Sequence, residues 1–263
     1  MTIAAYTQTY GSNRNSEIEL LKYDIIGNKF RNKCDIIIFA FHNCPSNIID
    51  KALIIINSLY PKDKLRILSY NNISYRDTLL ETISFLKKNT IEYMLLMQDD
   101  QFGINDEYNL NHLENIDTIF KFIDTRKPYY FNMLSNHGDK NINKINTIEE
   151  IKIDDVNFYN YRTNTFTYVY SYNDGTHFIT TNFLEQLLLI CNSADVWNLE
   201  NERNQLFFIN SYERWGMNKV MFNHLPIHGE HKMDRKDISN EIDFFFSGIK
   251  DWNKNKEYII SIT

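Results

Sequence analysis

An α/β domain with a mixed, mostly parallel central sheet flanked by helices is the fold class this sequence predicts. Two observations lead there. Strand-like runs, apolar at 36–41 and 93–97, alternate with amphipathic helical stretches through residues 1–100, the pattern of βαβ units. One such run, YMLLM at 93–97, ends in Gln98, Asp99 and Asp100, so adjacent carboxylates stand at the carboxyl end of a buried strand. Ligands bind at that end of open α/β sheets, and acids there are costly unless paired. On its own an Asp-Asp pair reads as a solvated loop. In this setting a divalent cation is the simplest partner, because hard cations take carboxylate oxygens and bridge to phosphates.

In chain order, residues 2–9 read as a strand running into the polar turn YGSNRN at 10–15. Ser16 is placed to cap a helix over 17–23 with acids in its first turn. A strand, a polar loop and a helix start form a corner suited to anions, where Arg14 is either the positive group of that corner or a surface arginine of an ordinary βα turn. Residues 34–41, CDIIIFAF, are the clearest buried strand. A helix over 47–59 follows and stops at Pro61. Residues 65–70 form a third strand, and 74–88 a helix with Leu79, Leu80, Ile83 and Leu86 inward. Beyond the acidic strand end, 109–122 read as a helix, 129–134 as a strand and 139–156 as a polar surface excursion. Residues 158–172 alternate in the manner of an exposed or antiparallel strand. Asp174 and Gly175 signal a turn before a strand at 176–180 and a helix at 182–190. A second helix is expected over 199–215, stopped by Gly216, then a strand at 219–222.

The 263 residues, 43% hydrophobic and 24% charged, are ordinary for a globular protein. A net charge of −6 argues against a non-specific nucleic-acid binder. Cys34, Cys44 and Cys191 are odd in number and lack C-x-x-C spacing, which fits a reducing compartment. No secretory leader and no run of membrane-span length is read. The expected location is the cytoplasm, a host's cytoplasm if the gene is viral.

Several of these pieces, in this order, resemble the GT-A fold glycosyltransferases, family 2 especially. YRDTLLE at 75–81 followed by EYMLLMQDD at 92–100 is similar to that family's "ARN…GEYILFLDDD" arrangement. DGTHFIT at 174–180 is similar to its acceptor-side segment, and LENER at 199–203 with WGMNKVMF at 215–222 to its acidic helix start and "GWKVxY" strand. The resemblance spans most of the chain and lies in order and spacing. It implies one GT-A-like domain over 1–263, with a nucleotide-sugar-binding half at 1–105, an acceptor half at 106–225 and a C-terminal tail at 226–263. It also implies an α/β sheet of the Rossmann-like nucleotide-binding kind. The implied activity is metal-dependent transfer of a sugar from a nucleoside-diphosphate sugar, UDP-sugar favoured, to a glycan or other hydroxyl acceptor. The implied cofactor is Mn²⁺ or Mg²⁺ on Asp100, with His228 where the family often has a metal-binding histidine. Thr7, Thr9, Tyr10, Arg14, Arg76, Gln98 and Asp99 are the implied nucleotide and phosphate contacts. Glu202 leads as general base for an inverting reaction, followed by Glu200 and Asp174.

The departures from the pattern are specific. The first Asp of the family's Asp-x-Asp is Gln98 here, able to hydrogen-bond a ribose hydroxyl but adding no charge. The family's Glu-Asp pair becomes Glu200, Asn201, Glu202, and acids in a first helical turn also stabilise the helix dipole whatever the function. His224, His228 and His231 lie close together without a Cys partner or an H-E-x-x-H helix, so completing a carboxylate site suits them better than zinc. Two other readings stay open. A sugar-nucleotide nucleotidyltransferase would show a Gly-rich basic loop after the first strand, where 10–15 has one Gly and one Arg. A non-catalytic glycan- or partner-binding domain would explain the missing first Asp.

Overall fold

The computed structural model describes residues 1–11, 21–99, 101–102, 115–133, 146–162, 175–191, 212–217 and 222–224. Three expected elements recur almost residue for residue: β2 (Ile36–His42), β3 (Leu65–Tyr70) and β4 (Tyr93–Gln98). With β1 (Ile3–Tyr10) they are parallel neighbours in the order β3-β2-β1-β4. The sheet continues through β9 (His177–Thr180), β6 (Tyr130–Asn132), β10 (Arg214–Met217), β8 (Val156–Arg162) and β7 (Asn146–Ile153), nine strands in all among the described residues. β9 runs against both of its neighbours, as does β8. The sheet is thus mixed, with its parallel part concentrated at the β3-β2-β1-β4 end.

Helices cover both faces because the buried strands are apolar on both. On one face Ile3, Ala5, Leu95 and Met97 meet α1 (Ile25–Lys33) and α4 (Asn115–Arg126), through Phe30, Ile119, Phe122 and Ile123. Phe122 stacks flat on Phe158 at 4.0 Å and edge-on to Trp215 at 5.1 Å. Beside them Ile37, Phe39 and Phe41 pack on α2 (Ser46–Leu59). On the opposite face Ala4, Tyr6, Met94 and Leu96 pack on α3 (Tyr75–Lys88) and α5 (Thr181–Ile190). Local chemistry sets the helix ends. Ser74 accepts from the Asp77 amide at 3.1 Å and Thr180 from Phe183 at 3.2 Å, each satisfying an N–H the helix leaves orphaned.

Four expectations are corrected. Of the helix expected over 17–23 only residues 21–23 are described, and they form a 3₁₀ turn; α1, absent from the elements expected above, begins beyond it, capped by Asp24. The polar stretch before residue 156 is not all surface excursion, because Asn146–Ile153 is the outer strand of a hairpin with β8. The expected helix over 199–215 does not include its last residues: Arg214–Met217 is a strand between β6 and β8, with Gly216 inside it. The helix expected over 109–122 is found as Asn115–Arg126, its first residues lying outside those described.

A second, two-stranded sheet joins β5 (Gln101–Phe102) to β11 (Asn223–His224), antiparallel, with His224 opposite Gln101. It brings the chain just before residue 228 to the segment that follows Asp100.

Candidate functional site

The chain leaves β1 towards β2 and β3 on one side and returns to β4 on the other. That reversal makes the carboxyl ends of β1 and β4 the topological switch point, where open α/β sheets bind ligands. Gln8 and Gln98 face each other across it. The next residue, Asp99, extends the ladder by one bond, its amide donating to the Gln8 carbonyl at 3.2 Å. The residue is 4% exposed. A buried carboxylate thus stands at the strand end where open α/β sheets bind ligands.

The rim is built from β1 and β2. Gly11 turns the chain out of β1 with φ +90°, a left-handed conformation that glycine adopts at no steric cost, and donates to the His42 carbonyl at 2.8 Å. Tyr10, 57% exposed, lies 6.2 Å from the His42 ring, and His42 lies 5.4 Å from Tyr70. Asn43, itself left-handed, donates its side-chain amide to the Tyr10 hydroxyl at 3.5 Å and accepts from the Asn72 amide at 2.9 Å. Burial lowers the His42 pKa to about 4, so the imidazole is neutral at neutral pH. In the sequence His42 and Asn43 carry no motif: His42 ends an apolar strand and Asn43 opens an ordinary loop.

The expected contacts divide. Gln98 and Asp99 stand beside Gln8 at the switch point, and Tyr10, at the end of β1, lies on its β2 side by His42. Thr9 is buried there, its carbonyl taking the Cys44 thiol at 3.7 Å. Thr7 is buried on the α1 face, and its hydroxyl accepts from Arg31 Nε at 3.0 Å. Arg76 sits in the first turn of α3, donating from Nη1 to the Cys191 carbonyl at 3.0 Å and from Nε to Asp77 at 3.3 Å. Ser74, first, and then Arg76 hold the Asp77 carboxyl below its ordinary pKa. Arg14, Asp100, Asp174, Glu200, Glu202 and His228 lie outside the described residues.

Among the described residues no three His, Cys, Asp or Glu side chains group as a metal site, and no helix is long and apolar enough to cross a membrane. Asp99 is the carboxylate the described residues place at the crevice, and its hard oxygens suit Mg²⁺ or Mn²⁺.

No family model matches the chain, and no curated protein matches its sequence. Solved structures show a distant likeness. TarS of S. aureus is 14% identical with a TM-score of 0.45 over 84% of this chain, which spans 36% of TarS. An apo UDP-glucose pyrophosphorylase is 9% identical with a TM-score of 0.49, covering 85% of this chain and 92% of its own. A UTP-bound UGPase from Acinetobacter baumannii is 7% identical at 0.49, covering 95% of this chain and 100% of its own. Likeness this distant says nothing about activity.

Proposed function

We propose that the chain is a metal-dependent glycosyltransferase of GT-A-like fold, moving a sugar from a nucleoside-diphosphate sugar, UDP-sugar favoured, to a glycan or other hydroxyl acceptor. The observation that supports it is the buried Asp99 carboxylate at the β1–β4 switch point, next in sequence to Asp100. Asp100, with Asp99 beside it and His228 from the segment after β11, would hold Mn²⁺ or Mg²⁺. A cation bound there supplies charge neutralisation for the departing diphosphate. Gln98 hydrogen-bonds a ribose hydroxyl, and Tyr10, Thr9, Arg14 and Arg76 line the nucleotide. Glu202, ahead of Glu200 and Asp174, takes the proton of the acceptor hydroxyl on the far face of the sugar, which gives inversion.

The test is nucleoside diphosphate release from a panel of UDP-, GDP- and dTDP-sugars, with and without Mn²⁺, for the wild type and for Asp100→Ala. Release from one donor that needs metal and is lost in the variant supports the reading. The absence of both release and metal-dependent binding of UDP or GDP overturns it. Pyrophosphate release from UTP and a sugar 1-phosphate would replace it with a nucleotidyltransferase.

A further inference from the structure

The proposed chemistry leaves one costly feature unused, the ion pair between Asp24 and Arg31. Their side chains are 1% and 0% exposed. Arg31 Nη1 donates to Asp24 Oδ2 at 2.8 Å, Asn28 Oδ1 at 3.2 Å and the Tyr60 hydroxyl at 3.4 Å, while Nε donates to Thr7 Oγ1 at 3.0 Å. The Tyr60 hydroxyl in turn donates to Asn28. The guanidinium also lies 5.9 Å from the Phe39 ring. Tyr60 and Asp24 hold the Arg31 pKa above its ordinary value against the opposing effect of burial. One side chain thus joins β1, the start of α1 and the residue that follows α2.

Stability alone does not account for such a pair, since well-packed apolar replacements of buried ion pairs are often neutral or stabilising. What the pair supplies is position. Arg31 grips Thr7, the next residue Gln8 offers its carbonyl to the Asp99 amide, and Asp99 carries the crevice carboxylate. The same pair fixes the far end of the β1–α1 connection at Asp24, as the His42 carbonyl fixes its near end at Gly11.

We infer that Arg31 is a positioning residue, which through Thr7 sets where β1 presents the Gln8 carbonyl and so where Asp99 meets a bound metal–diphosphate. The second half of this inference rests on the proposed function; the first does not. Three variants test it: Thr7→Val, which removes the hydroxyl and keeps the ion pair, Arg31→Met, and the conservative Arg31→Lys. Hydrogen exchange of the Asp99 amide is compared with that of Phe131, on β6 away from the network. Losing one buried hydrogen bond predicts about tenfold faster exchange at Asp99 in Thr7→Val and Arg31→Met. Phe131 should be unchanged, and Arg31→Lys should recover part of the loss. Calorimetry with UDP and Mn²⁺ should show affinity falling in parallel. Unchanged Asp99 exchange in Thr7→Val overturns the inference, even if Arg31→Met fails to fold. Faster exchange with wild-type UDP affinity confines the role to the strand. A wild type that binds no UDP rejects the proposed function while the exchange result still decides the positioning.

Discussion

Asp99 donates its backbone amide to the carbonyl of Gln8 at 3.2 Å, so the β1–β4 ladder ends on a residue that carries a buried carboxylate. That bond belongs to the backbone and survives any change of side chain. Asp99→Asn should therefore keep the fold, with the melting temperature moving by less than about 4 °C. Its affinity for UDP with Mn²⁺ should fall at least about tenfold, because an amide is a weaker ligand for a hard cation. Calorimetry and a thermal melt on the same sample check both. Full metal-dependent affinity in the variant would remove Asp99 from the site.

Gly27 offers a test with a sign opposite to the usual rule. Glycine to alanine inside a helix ordinarily stabilises by about 0.5–1 kcal/mol. Here a Cβ would stand 1.9 Å from Asp24 Oδ2, and that carboxylate cannot swing away because it caps α1 through the Gly27 amide at 3.0 Å and pairs with Arg31. Gly27→Ala should cost about 3 kcal/mol, the scale of a broken buried pair. A urea titration at neutral pH measures it, and a variant as stable as the wild type would show that the cap has slack.

His42 gives the acid limb of the stability curve. Burial lowers its folded pKa from 6.5 to about 4. Between those values the unfolded chain holds a proton that the folded one does not, so stability is full above pH 6.5 and drains away as pH falls towards 4. The loss attributable to this ring is on the order of 3 kcal/mol, with no further change from it at lower pH. His42→Gln should flatten that part of the curve relative to the wild type. Parallel curves for the two proteins would mean the ring takes up its proton at the same pH folded as unfolded.

The first half of the fold was legible because its determinants are local. β2 and β4 are apolar along nearly their whole length, β3 is a short half-buried segment between helices, and Ser74 and Pro61 mark helix limits by their own chemistry. Other elements are set by partners distant in sequence. Trp215 belongs to a strand because it packs against Phe122 and pairs with Phe131 and Asn160, and nothing in its neighbours along the chain announces this. Asn146–Ile153 carries charges at Glu149, Glu150 and Lys152 because it is an outer strand, so it reads as surface loop. α1 was hidden by Gly27 and Asn28, both poor helix formers, whose places are explained by contacts with Asp24, Arg31, Tyr60 and Leu21. At the site, the acidic strand end was readable from the apolar run before it. The side of Thr7 was not, because it depends on which face of β1 receives α1.

Arg76 tests whether one side chain serves two purposes. Its Nη1 ties the start of α3 to the Cys191 carbonyl at the end of α5, and the Lys87–Glu185 ion pair ties the end of α3 to the middle of α5. The carbonyl bond is charge-assisted and half-buried, so Arg76→Ala should lower stability by about 1 kcal/mol. Lys87 and Glu185 are 33% and 35% exposed, and Lys87→Ala should cost well under about 1 kcal/mol. If Arg76 also lines the nucleotide, Arg76→Ala loses about tenfold in UDP affinity, the strength of one charge-assisted hydrogen bond, while Lys87→Ala loses none. Urea titrations and calorimetry on both variants separate the roles. A stability loss in Arg76→Ala with unchanged affinity would leave it as a helix tie and pass the phosphate contact to Arg14.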